Sequence, residues 1–192
     1  DFLDIRDIHS TISKLIYKIS FQEIIRGDLD PLNSSIGGIL YLIKSYDFGF
    51  INKEALEKLS SLLIKRIVHT KVGSAISNLR INKATCNANI GLAHGMTGII
   101  LVALELYKVG IHREYWIKNI PNLAEFILNS RNQQSVELRE YLYPRQVPIL
   151  NSLSYLAEED YSVKNFSAMG WCYGDISIAY MLLKVYNVLG QI

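Results

Sequence analysis

The sequence predicts an all-α protein of the α/α type, with inner and outer helix layers arranged as part of a toroid. Three observations predict it. Helical segments with one apolar stripe alternate with segments that are apolar on every side. Each apolar segment is introduced by a turn rich in small residues, and no run supports a strand well. A helix that is apolar all round is buried all round, so these segments form the inner layer and the amphipathic ones the outer. Gly37, Gly98 and Ser177 take matching places after three such turns, which reads as a degenerate repeat of a helix pair.

Residues 5–20 align Ile5, Ile8, Ile12, Leu15, Ile16 and Ile19, predicting an amphipathic helix with that stripe buried; Gly27 ends the region. Residues 28–35 are a polar turn, and 36–43 are apolar throughout. Asn52 is placed to cap a second amphipathic helix over 52–68, with Leu56, Leu59, Leu62, Leu63 and Ile67 as its stripe. Residues 70–90 carry little pattern. Gly91-Leu92-Ala93-His94-Gly95 then opens an all-apolar helix over 96–108, which Gly110 closes. Residues 112–129 are amphipathic, with Tyr115, Trp116, Leu123, Phe126, Ile127 and Leu128, and Pro121 is expected to break or kink them. The span 130–165, with Pro144 and Pro148, reads as loops, and Trp171-Cys172-Tyr173-Gly174-Asp175 opens a last apolar helix over 176–189.

At 192 residues, 49% hydrophobic and 20% charged, the chain can bury a real core. A net charge of +2, with scattered lysines, gives nucleic acid no basic surface to recognise. Lys44, Glu105 and Lys184 interrupt the apolar runs before any could span a membrane. The acidic first residues do not read as a signal peptide, and Cys86 and Cys172 are too few for a disulfide framework. A reducing, cytoplasmic setting is therefore expected.

Three side chains on these turns are candidates for chemistry. His94 is either a core histidine bonded to a carbonyl or a proton carrier, because an imidazole titrates near working pH. Cys172 reads as an inert core thiol, a catalytic thiol or a zinc thiolate, and no CxxC, HxxxH or HExxH selects among these. Asp30 or Asp28 is a general base, a hydrogen-bond acceptor or a helix cap. Cys86 is taken as structural, and His9, His69 and His112 as solvated.

The motifs at 89–99 and 171–174, GLAHG followed by WCYG, resemble the two signature turns of the lanthionine synthetase C-like (LanC) cyclases. Residues 30–37, with an aspartate ahead of small residues, are similar to that family's acidic turn. The likeness covers about residues 30–189, and the family's α/α toroid agrees with the layering read above. What it implies is a cyclase that closes thioether rings by adding peptide cysteine thiols to dehydrated Ser or Thr in a ribosomal precursor peptide. By position, Cys172 matches a zinc ligand, and His94 and Asp30 match residues assigned to proton transfer. The resemblance also implies zinc as cofactor, a dehydratase and an export transporter as partners, and peripheral attachment to a membrane through such a complex.

The departures bear on activity. Ser34 and Ser177 replace usual glycines, Ala168 and Met169 stand near the place of an arginine, and no Cys-His-Gly turn follows Cys172. The expectation is one toroid domain over 1–192 that is a fragment of a longer domain and inactive alone. Two competitors remain. One is a non-catalytic LanC-like scaffold that binds peptides. The other is an unrelated carbohydrate-active toroid using a carboxylate pair such as Asp30 and Asp175.

Overall fold

The computed structural model describes residues 4–77, 87–131, 142–149, 170, 172 and 174–190. Its helices are α1 (Ile5–Arg26), α2 (Ser35–Asp47), α3 (Lys53–Ile64), α4 (Met96–Lys108), α5 (Arg113–Asn129) and α6 (Asp175–Leu189). The fold is all-α, as predicted. The inner row is α2, α4 and α6, with α4 packed against both of the others; α1, α3 and α5 lie outside. Helix α4 sits at the centre, and Met96, Ile99, Ile100, Val102, Ala103, Leu104 and Leu106 are all buried.

Local chemistry sets the helix ends. Asp4 caps α1 by accepting the Arg6 N–H, and Gly27 closes it in the left-handed region at φ 80°. Asn52 caps α3, accepting the Ala55 N–H at 3.0 Å. Just beyond α3, the Arg66 guanidinium donates to the carbonyls of Ile24 and Ile25, a cation at the negative end of α1 that ties the outer helices together. Gly110 follows the end of α4 at φ 78°, as expected of a closing glycine.

Several expectations need correcting. Ile5, Ile8, Ile12, Leu15 and Ile19 of α1 are exposed; the face that packs is Ser13, Ile16, Tyr17, Ser20 and Ile24. Small residues decide this. A Cβ on Gly38 would lie 2.1 Å from Ser20 Oγ, so α1 and α2 approach closely along a serine–glycine seam that a search for apolar stripes passes over. Helix α6 buries one face, Ser177, Ile178, Met181 and Val185, and exposes Ile176, Tyr180, Leu183 and Tyr186. Helix α3 stops at Ile64, short of residue 68, and strands follow that the sequence did not suggest. Strand β1 (Val68–Thr70) pairs antiparallel with β2 (Gly73–Ala75), and β3 (Asn87–Asn89) with β4 (Gln146–Pro148). Pro121 does not break α5, which runs through it.

Of the three histidines taken as solvated, His9 and His69 are exposed as expected and His112 is half-buried, and each also has a partner. His9 stacks on Phe50 at 5.3 Å between ring centroids, and His69 Nδ1 lies 2.9 Å from Ser74 Oγ. His112, at φ 46°, sits with Nδ1 3.0 Å from Ser60 Oγ. Cys86 and most of the 130–165 span lie outside the described residues.

Ser60 is fully buried between α3 and α5, where it also accepts the Trp116 indole N–H at 3.0 Å. Ser60→Ala strands that N–H inside the core, a loss of about 1–3 kcal/mol. Urea unfolding should show the lower midpoint with an unchanged slope, and an unshifted midpoint would refute the role given to this hydroxyl.

Candidate functional site

The turns ahead of α2, α4 and α6 converge at one end of the inner row. The first is built around Asp30, whose Oδ1 accepts the N–H groups of Leu32 at 2.9 Å and Asn33 at 2.8 Å. Asp28 supports it from behind: its carbonyl accepts the hydroxyls of Ser34 and Ser35, and its Oδ1 accepts the Asp30 N–H at 3.4 Å. Neither aspartate caps α2, because the N-cap is Ser34 and it makes no side-chain capping bond. Asp30 Oδ1 makes cap-type bonds to its own turn instead of to α2, and Oδ2 is left for another partner.

That partner is His94. Its Nδ1–H donates to Asp30 Oδ2 at 2.7 Å, joining side chains from two different repeats. The Asp30 side chain is 3% exposed and that of His94 is 20% exposed, so the carboxylate is the inner member and the imidazole faces outward. A buried carboxylate that accepts from Nδ1–H sets the tautomer and the ring orientation. Two backbone N–H groups and the imidazole together compensate the burial of the Asp30 charge.

The His94 turn owes its shape to close backbone packing. Asn89 Oδ1 accepts the Gly91 N–H at 2.9 Å, and Thr97 Oγ1 donates to the Ile90 carbonyl at 2.5 Å. Gly95 lies so near Asn89 that a Cβ would stand 2.0 Å from its carbonyl oxygen. Pro31 then wedges between α2 and α4. A Cβ on Gly98 would meet Leu92 O at 2.2 Å and Pro31 Cγ at 2.6 Å, and one on Gly37 would meet Pro31 O at 2.5 Å. These glycines are each the third residue of their helix and let the Asp30 and His94 turns touch.

Backbone bonds link all three turns. Leu32 N–H donates to Ala93 O at 3.0 Å, and Ala93 N–H donates to Cys172 O at 3.4 Å. The third turn thus joins the Asp30–His94 pair through the main chain of Cys172. The Cys172 side chain is exposed, which excludes the core-thiol reading. Trp171 and Tyr173 lie outside the described residues. Asp175, the other carboxylate considered for a glycosidase-like pair, binds the N–H groups of Leu142 at 2.9 Å and Tyr143 at 3.1 Å, so it anchors a loop. Burial beside that carboxylate pushes the Tyr143 hydroxyl pKa up.

Zinc is the metal implied by the resemblance. Among the described residues no three His, Cys, Asp or Glu side chains gather in a way that could hold a metal ion, and Cys172 stands as a single matched ligand. The described residues do not fit a zinc site. The sequence singled out Asp30, His94 and Cys172, and the structure brings the first two into contact and ties the third to them through its backbone. The sequence did not suggest the Pro31 wedge or the Leu32–Ala93–Cys172 backbone series; only the equivalence of those three positions follows from aligning the turns on Gly37, Gly98 and Ser177.

A family model described as lanthionine synthetase C-like protein matches residues 4–192 of the chain. No curated protein matches it.

The wedge is testable. Gly98→Ala forces the Leu92 carbonyl or Pro31 to move, costing about 1–3 kcal/mol as overpacking does, and it pulls the two turns apart. The His94 Nδ1–H proton signal should shift or broaden in NMR spectra. Gly110→Ala places its Cβ in open space at φ 78° and should leave that signal alone. An unaltered signal in Gly98→Ala would argue against the wedge.

Proposed function

The chain belongs to the lanthionine synthetase C-like family, and from that membership and the Asp30–His94 pair we propose that it handles protons in thioether ring closure on a dehydrated precursor peptide. A cysteine thiol of the peptide adds to the β-carbon of a dehydroalanine or dehydrobutyrine. One S–C bond forms and the C=C π pair moves onto the neighbouring carbonyl as an enolate. The thiol loses one proton and the α-carbon gains one, so the addition balances with no external oxidant or reductant.

His94 carries that proton. Its Nε2 takes it from the thiol and returns it to the α-carbon, while Asp30 holds the ring in register and stabilises the imidazolium between the two transfers. The exposure difference within the pair carries this reading: the imidazole is presented outward and the carboxylate is held behind it. Cys172, on the adjoining turn, is the residue matched to a zinc ligand.

The test uses dehydrated peptide and counts unreacted thiols by alkylation and mass spectrometry, since ring closure leaves the mass unchanged. His94→Ala should slow the loss of thiols by about 10²–10⁴-fold, the range for removing a positioned acid–base group. Asp30→Asn should slow it as well, with peptide binding retained. Cyclisation at the normal rate by His94→Ala would overturn the assignment. Peptide binding without ring closure by the unaltered protein would favour the scaffold reading.

A further inference from the structure

Asp175 stands two residues before Ser177, the place that Ser35 and Met96 hold before Gly37 and Gly98. Ser35 turns its hydroxyl to the Asp28 carbonyl of its own turn, and Met96 is apolar and fully buried. The third turn alone puts a carboxylate at this place. Its two oxygens accept main-chain N–H groups from a distant segment, Leu142 at 2.9 Å and Tyr143 at 3.1 Å.

Those two residues begin a strap that leads to the His94 turn. The Arg145 carbonyl accepts the Ile90 N–H at 3.2 Å, and β4 then pairs with β3, setting Gln146 opposite Asn89. Asn89 in turn holds the head of the His94 turn through the Gly91 N–H. Burial of Tyr143 and Val147 seats the strap against the core. The first residue of α6 is thereby fastened to the strand that enters the His94 turn. The direct link between the two turns is thin by comparison. Ala93 N–H reaches the Cys172 carbonyl at 3.4 Å, whereas the Asp175 bonds are shorter and have a charged acceptor. Cys172 is exposed and gains no seat from burial, so the main chain on either side sets its place.

We propose that Asp175 is a positioning residue for the reaction proposed above, fixing the distance from the Cys172 turn to His94 through the strap. It acts through the main chain of residues 142–146, three residues beyond Cys172 in sequence. This inference rests on the proton-transfer reading of His94, and the measurements that follow separate the two.

Asp175→Asn keeps one acceptor and sets an amide donor against the other N–H. Asp175→Ala removes both acceptors and leaves a good helix former at the start of α6. The His94 Nδ1–H proton signal should shift in both, and further in Asp175→Ala. The alkylation rate of Cys172, followed by mass spectrometry on the peptide that carries it, should change in the same order. The kcat for thiol loss from dehydrated peptide should fall by up to about 10²-fold with KM unchanged, as misplacement of reacting groups does. Ser60→Ala, which lowers stability away from the site, should move none of these readouts. Should Asp175→Ala fail to fold, Asp175→Asn carries the same comparisons. An unmoved His94 signal with an unchanged Cys172 alkylation rate would overturn the proposal, as would a Ser60→Ala variant that moves them equally. So would moved signals with cyclisation at the normal rate while His94→Ala is slow. If His94→Ala itself cyclises normally, the proton-transfer reading falls, and the NMR and alkylation readouts still decide whether Asp175 sets the spacing of the two turns.

Discussion

The site depends on the close approach of three backbones. Asp30 and His94 meet only because Pro31 can lie between the first turns of α2 and α4, and it lies there because Gly37 and Gly98 present no Cβ to it. Van der Waals exclusion is steep, so a single methyl at Gly98 displaces the wedge, and with it the hydrogen bond beyond. Electrostatics act within that frame. The carboxylate is buried where two amides and an imidazole meet it, and a displacement of one turn would leave a charge without its partners.

Much of this was legible in the residues. Glycine-bracketed His94 and the Asp30 turn stood out because each interrupts apolar periodicity with groups that do not stabilise a core. The helix pattern was equally plain, since α4 is apolar on every side and lies at the centre. What the residues could not show was which apolar surface finds a neighbour. Residues Ile5 to Ile19 of α1 form a better stripe than Ser13, Ser20 and Ile24, yet the serines face inward, Ser20 against Gly38 and Ser13 against the Tyr41 hydroxyl. Helix α6 is as apolar as α2, and its burial depends on what stands beside it. The short strands carry too few residues for alternation to register, and Pro121 is absorbed within α5 because tertiary packing outweighs local preference.

The pair also shows how a repeat architecture can assemble a polar contact from two units. Neither repeat contains the dyad; one supplies the carboxylate and the next the imidazole. Arg66 reinforces the same junction from the outer layer by bonding the end of α1, four residues ahead of Asp30 in sequence. Residues far from the turns therefore bear on the spacing between the two paired side chains, through helices that are stiff over the intervening distance.

The serine–glycine seam between α1 and α2 carries a thermodynamic consequence. Small polar residues let helices approach closely, yet they remove little apolar surface from water, so the contact rests on dispersion and shape more than on solvent release. Its stability should then carry a smaller heat-capacity signature than the centre around α4, and should weaken less on cooling. The carboxylate of the dyad stands on the turn that joins the two helices of that seam. Its alignment is thereby coupled to the part of the molecule whose response to temperature differs most from that of the core.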